Sequence, residues 1–246
     1  MFIRRLKFNQ SYVIVFFLIL IILSLIEYKV SAETYKFGEL SSLAKGKTDK
    51  YGGFTEIYEH IFYPMKNLPL KICEIGIWKG GSLKLWEDYF PNSMIYGIDI
   101  LDMSEMNSKR IKTFVADQGN RTQLKSFIDY SGGNFDFILD DGGHTMKLQQ
   151  VSFGYLFKHV KPGGYYIIED VHTSLPRLAS KFGVEKDETN STLVMINNFI
   201  KMKTIKSKYM TIEEEIYLTK NIDYCILFCK QHGVEHILTC IIKKKK

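Results

Sequence analysis

The sequence is short of the residues that build thiolate metal sites and disulfide frameworks. It has four cysteines in 246 residues, and their spacing matches no zinc pattern. Cys73 falls inside an apolar run and reads as a core residue. Cys225 and Cys229 share the parity of one strand, too far apart along it to bond to each other. Charge of one sign is equally scarce in the body of the chain. The net charge of +6 lies at the ends, with Arg4, Arg5, Lys7 and Lys29 against Glu27 at one and Lys243 to Lys246 at the other. The middle is close to balanced, which argues against a nucleic-acid partner. No internal repeat is present, and no low-complexity stretch beyond the terminal lysines.

One apolar run stands apart, from Tyr12 to Ile26. It is shorter than the roughly 20 apolar residues that usually span a bilayer. Basic residues precede it and Val30-Ser31-Ala32 follows it, a small-residue cleavage pattern. Residues 1–32 therefore read as a signal peptide, with a signal anchor as the alternative. Either places the rest of the chain in the lumen of the secretory pathway or outside the cell, with membrane attachment through residues 12–26 in the anchored case. The triplets Asn120-Arg121-Thr122 and Asn190-Ser191-Thr192 would then be glycosylation acceptors.

The remaining chain has 46% hydrophobic residues and the length of one α/β domain. The expected organisation is a helical cap region over 33–69, a catalytic domain over 70–230 and a basic tail over 231–246. In the cap, Ile57, Tyr58, Ile61 and Phe62 recur at helical spacing and are expected to pack on a sheet. Strands are expected at 70–75, 94–98, 112–115, 135–139 and 165–168, alternating with helices that start near Ser82, Leu124 and Gln149. That alternation predicts a Rossmann-like, doubly wound parallel sheet. A helix over 192–202 and two closely spaced strands, 212–218 and 224–229, should end it. Their short connection requires antiparallel pairing. The sheet would then have seven strands with an antiparallel C-terminal strand.

The chemistry is concentrated where strands end. FDFILDDGGH (Phe135 to His144) is a buried strand that stops in Asp140, Asp141, two glycines and His144. GGYYIIEDVH (Gly163 to His172) repeats the arrangement with Glu169 and Asp170. Ligands of open α/β sheets bind at the carboxyl ends of strands. Acids there form an oxygen-rich pocket suited to a hard cation such as Mg²⁺. Asp140 is expected to support the turn, and His172 to pack or hydrogen-bond. The first strand runs into Gly76-Ile77-Trp78-Lys79-Gly80-Gly81-Ser82, a glycine-rich turn that brings backbone N–H groups to a ligand. It is not G-x-G-x-x-G. Trp78 stands where a dinucleotide site wants glycine and would obstruct a pyrophosphate. Asp99, 23 residues beyond Gly76, can take two ribose hydroxyls. An adenosine cofactor without a pyrophosphate, S-adenosylmethionine, fits these features.

With these motifs the chain resembles the class I S-adenosylmethionine-dependent methyltransferases. Within them it is similar to the macrolide and polyketide sugar O-methyltransferases of the mycinamicin and rhamnosyl-tetracenomycin type. The resemblance runs from Thr48-Asp49-Lys50 to Cys229 through EIGIWKGGSLKLW, FPNSMIYGIDI, ADQ, DDGGH and GGYYIIEDVHTS. It implies Glu74, Gly76, Ser82, Asp99, Asp117 and Gln118 around the cofactor. It also implies Asp141, Glu169 and Asp170 as Mg²⁺ ligands and His144 as the base. Gly143 stands where the family commonly has serine, and Leu175 where an aromatic commonly follows the Thr-Ser pair. The expected activity is Mg²⁺-dependent methylation of a sugar hydroxyl. Two vicinal oxygens on the ion would stabilise the alkoxide while His144 takes the proton. The alternatives are a catechol-type O-methyltransferase and a secreted protein that kept the fold without turnover. A homo-oligomer is compatible with each.

Overall fold

The computed structural model describes residues 38–48, 50, 54–175, 178, 188–232 and 235–246. The chain divides into a unit of Met1–Glu39 and one of Leu40–Lys246, and the fold described is that of the second. The leader and its apolar run lie outside the described residues. Among those that are described, no helix is long and apolar enough to cross a membrane.

Helix α1 (Glu39–Ala44) and helix α2 (Phe54–Phe62) precede the sheet. The alternation then runs β1 (Lys71–Ile75), α3 (Gly81–Tyr89), β2 (Met94–Asp99), β3 (Ile111–Val115), α4 (Arg121–Ser131), β4 (Phe135–Asp140), α5 (Met146–Leu156) and β5 (Val160–Ile168). Helices α6 (Thr192–Met202) and α7 (Ile212–Asn221) lead to β6 (Ile222–His232) and β7 (Glu235–Lys244). The seven strands lie in the order β3-β2-β1-β4-β5-β7-β6. The first five pair in parallel; β7 is antiparallel to β5, and β6 is antiparallel to β7. The order reverses between β1 and β4, where Ile75 pairs with Asp140. A crevice opens at the carboxyl ends of strands at such a switch point.

Each face of the sheet carries its own core. On one, Leu124, Phe127, Phe153, Leu156 and Phe199 from α4, α5 and α6 cover Cys73, Ile138 and Tyr166. On the other, Tyr58 and Phe62 from α2 and Trp86 from α3 cover Phe137 and Ile72. The Phe62 and Phe137 rings stack with centroids 4.3 Å apart, and Trp86 meets both edge-on. The apolar side of α2 is thus sheet-facing, as its spacing predicts. Because both faces of the parallel strands are covered, those strands read as continuous apolar runs rather than alternating ones.

The C-terminal third departs from the sequence reading. Residues 212–218 are helical, not a strand. Thr211 accepts from the Glu214 backbone N–H while the Glu214 side chain accepts from the Thr211 N–H, a reciprocal cap that saturates two orphan donors of the first turn. Glu213, Glu214 and Glu215 in that turn and Lys220 in the last complement the helix dipole. The residues read as a solvated basic tail form β7 in the interior of the sheet. Its Cys240, Ile241 and Ile242 are fully or almost fully buried. Lys244 is 6% exposed, and its Nζ donates to the carbonyls of Phe157, Lys158 and Val160 at 3.3, 3.0 and 2.6 Å. The antiparallel pair at the end of the chain is therefore β6 with β7. Helix α3 is capped by Gly80, at φ +73°, and not by Ser82. A side chain at Gly80 would also collide with Met106.

Candidate active site

The loops after β1, β2, β3, β4 and β5 enclose a cavity of about 620 Å³, within the roughly 300–1,000 Å³ of small-molecule sites. Gly76, Ile77, Trp78 and Ser82 line it from the first loop, Asp99, Ile100 and Leu101 from the second, and Asp117 and Gln118 from the third. Asp141, Gly142, Gly143 and His144 line it after β4, and Asp170 after β5. The first and fourth loops meet closely at the switch point. A Cβ on Gly76, itself at φ +89°, would lie 2.3 Å from the Asp141 carbonyl oxygen.

Asp99 organises the first loop as well as lining the cavity. Its Oδ2 accepts from the backbone N–H groups of Ile77 (2.7 Å) and Trp78 (3.2 Å), and its Oδ1 from Leu101 (3.0 Å). Trp78 is held there at φ +49°, with 69% of its surface exposed. Asp117 Oδ1 accepts from the Gly119 N–H at 2.7 Å. The Gln118 side chain braces the fourth loop: Nε2 donates to Asp140 Oδ1 at 3.0 Å, and Oε1 accepts from the Gly143 N–H at 2.7 Å. Asp140 is buried beneath it and accepts also from Ser152 Oγ and Tyr166 Oη. Burial pushes its carboxyl above the usual range.

Gly142 and Gly143 do not serve the turn by unusual torsions. They serve it by lacking side chains, because a Cβ on Gly142 would lie 1.9 Å from Gln118 Oε1 and one on Gly143 would lie 2.4 Å from Leu148 Cδ1. The reversal falls to His144, at φ +55°. Asp170 has the same conformation, at φ +53°. Non-glycine residues seldom adopt it, and strain of this kind gathers at functional sites. Of the five such residues among those described, three (Trp78, His144 and Asp170) line this cavity. Thr173 Oγ1 fastens the two turns together by donating to the carbonyls of His144 (2.6 Å) and Asp170 (2.8 Å).

Asp141, His144 and Asp170 thereby converge, each offering one ligand atom within 4.8 Å of the others. His144 Nε2 lies 3.7 Å from Asp170 Oδ2, and His172 Nδ1 lies 3.7 Å from Asp170 Oδ1. Two of the three acids expected around a metal ion therefore meet at the cavity wall, with the expected base beside them. Glu169 points elsewhere. Its Oε2 accepts from Lys50 Nζ at 2.9 Å and its Oε1 from the Tyr58 hydroxyl. Glu74, expected at the cofactor, does not line the cavity. It is fully buried, with Oε1 3.3 Å from Lys50 Nζ and Oε2 accepting from Trp86 Nε1 at 3.2 Å. It touches the site only through Ser82, to which it is hydrogen-bonded.

Lys50 and Tyr58 escaped the sequence reading as site residues. The buried Lys50 ammonium contacts Asp141 Oδ2 at 2.5 Å as well as Glu169 and Glu74. Burial opposes its charge, but the three carboxylates outweigh burial and hold its pKa well above the ordinary value. Burial lifts the Asp141 carboxyl to about 6, and burial with the Asp141 charge lifts Glu169 to about 8. The only signal in the sequence was that the family resemblance begins at Thr48-Asp49-Lys50.

The fold and this arrangement of loops are those of the S-adenosylmethionine-dependent methyltransferases. The chain is 29% identical to the MycE methyltransferase of the mycinamycin biosynthetic pathway, solved with Mg, SAH and mycinamycin VI. That match has a TM-score of 0.68 over 85% of this chain and 55% of the other. Among curated proteins, it is 39% identical over 137 residues to the mycinamicin VI 2''-O-methyltransferase of Micromonospora griseorubida, which covers 52% of this chain and 34% of that protein. It is 38% identical over 162 residues to the demethylmacrocin O-methyltransferase of Streptomyces fradiae, covering 61% and 39%. The chain thus spans about two fifths or less of the length of these two relatives. No family model matches. The resemblance read from the motifs holds, since curated relatives are sugar O-methyltransferases of macrolide and polyketide pathways.

Proposed function

We propose that the chain is an S-adenosylmethionine- and Mg²⁺-dependent O-methyltransferase acting on a hydroxyl of a sugar in a glycan or glycoside. The observation that carries this reading is the convergence of Asp141, His144 and Asp170 on the wall of the cavity lined by Gly76, Asp99 and Asp117. A hard oxygen donor set with one imidazole suits Mg²⁺, and the close glycine contacts leave room for a ligand against backbone. When bound, the cofactor supplies an activated methyl group and the ion a Lewis acid that lowers the cost of an alkoxide.

This chain's residues do the rest. Asp99 retains lone pairs for ribose hydroxyls while holding the Ile77 and Trp78 amides. Asp141 and Asp170 hold the ion, and Glu169 joins them through lone pairs left by Lys50 and Tyr58. His144 Nε2 accepts the proton from the acceptor hydroxyl, with Asp170 beside it to steady the imidazolium. Its strained backbone fixes the direction of the ring. The acceptor is a sugar hydroxyl by analogy with the relatives' substrates, and the leader of residues 1–32 directs the enzyme to the secretory pathway. N-terminal sequencing of protein secreted from eukaryotic cells should begin near Glu33; a cytosolic, unprocessed chain refutes that address.

Calorimetry tests the site. S-adenosylhomocysteine should bind the full chain, and Asp99→Asn should weaken it at least about tenfold, the value of one charge-assisted hydrogen bond. Unchanged affinity in folded Asp99→Asn removes Asp99 from the cofactor site.

A further inference from the structure

Lys50 is a cation buried where a metal ion would be at home. Its side chain is 2% exposed, and its Nζ is surrounded by Asp141 Oδ2 at 2.5 Å, Glu169 Oε2 at 2.9 Å and Glu74 Oε1 at 3.3 Å. These oxygens come from the middle of β1 and from the turns after β4 and β5, so the sheet itself holds them around one point. Glu74 Oε1 is fully buried, aimed at this point, and makes no hydrogen bond. Neither Glu74 nor Lys50 lines the cavity, so this tricarboxylate pocket is a compartment behind the Asp141–His144–Asp170 cluster. Asp141 is the wall they share.

We propose that the Lys50 ammonium is the resident occupant of a second cation site, formed by Glu74, Asp141 and Glu169, which takes a divalent metal ion once the lysine charge is removed. Lys50 is in this sense a positioning residue. It supplies the charge that a second metal ion supplies in paired-metal sites, and it limits the centre to one exchangeable ion. The charge count gives a reason, resting on the function proposed above. Glu74, Asp141, Glu169 and Asp170 set against one ammonium and one divalent ion leave a single negative charge. A sulfonium cofactor would neutralise it. A second divalent ion in place of Lys50 would leave the sulfonium's charge unbalanced in a buried setting, where charge is costly.

The test counts ions rather than turnover. Mn²⁺ is titrated into the full chain without cofactor, and free Mn²⁺ is followed by electron paramagnetic resonance. Lys50→Ala should bind one more ion per chain than the unmodified protein, and Lys50→Arg, which keeps the charge, should bind the same number as the unmodified protein. Equal counts for Lys50→Ala and the unmodified chain overturn the inference. If Lys50→Ala does not fold, Lys50→Gln, which fills more of the space and is neutral, decides by the same increment. The increment is read separately from the unmodified chain's own count. A count of zero there sinks the Mg²⁺ centre of the proposed function, while the difference between variant and parent still judges Lys50.

Discussion

At the scale of single residues, the site sets two kinds of group side by side. Asp99, Gln118 and Asp140 are spent on holding loops, whereas Asp141, His144 and Asp170 are turned toward the cavity. His144→Ala should therefore fold, keep cofactor and metal binding, and lose about 10²–10⁴-fold in rate as a missing general base. Single-turnover methyl transfer measures this, and near-full rate would pass the proton to another group. Glu169 gives a pH test. Its carboxyl lies near 8 in the native protein against an ordinary 4.5, chiefly through burial. Between those values the native chain holds a proton that the unfolded chain has released. Stability contributed by this group is thus present at low pH and lost as pH rises toward 8. Urea titrations of metal-free protein should show Glu169→Gln losing less stability than the parent between pH 5 and 8. Parallel pH profiles would contradict that. Most of the cavity-facing residues were legible, because acids and glycines that close an apolar strand mark the ligand-facing edge of a parallel sheet. Lys50 was not. Its partners Asp141 and Glu169 lie 91 and 119 residues away, and no local pattern records such a contact. The aim of Glu169 toward Lys50 was hidden for the same reason.

At the scale of elements, the five parallel strands were readable as uninterrupted apolar runs closed by Asp, Glu or Gly, since both of their faces are covered. The end of the chain was misread for two identifiable causes. Ile212, Ile216 and Tyr217 suggested a strand, yet Ile212 and Ile216 remain exposed and the Thr211–Glu214 cap decides the matter. Thr211→Ala should cost about 1 kcal/mol, measured by denaturant unfolding. In β7, four terminal lysines masked the apolar residues before them, although Lys244 is one of the buried groups. Its ammonium gathers three carbonyls at the end of the 3₁₀ turn Phe157–His159. Truncation after Cys229 should leave β5 without its neighbour and expose Ile241 and Ile242 to loss. The truncated chain is expected to be insoluble or to lack a cooperative thermal transition. A cooperative, soluble product would mean that β7 is dispensable.

At the scale of the whole molecule, the sheet order places every catalytic group on one edge. The reversal between β1 and β4 opens the cavity, and the two faces of core keep the five parallel strand ends in register. Helix α2 contributes at both levels, since Tyr58 packs in the aromatic cluster and also binds Glu169. The metal centre is thereby tied to the hydrophobic core. Phe62→Ala, which removes the ring stacked on Phe137, should destabilise the protein by about 3–5 kcal/mol and reduce metal binding along with stability. The central claim is that this edge transfers a methyl group to a sugar hydroxyl with the help of a divalent ion. The direct measurement is incorporation of label from methyl-labelled S-adenosylmethionine into a panel of glycosides and glycans by the full chain, with Mg²⁺ and with EDTA. The account predicts label in a sugar acceptor with Mg²⁺ and its loss with EDTA or in Asp141→Ala. Transfer that proceeds equally in EDTA, or label that enters catechols and no sugar, would contradict it.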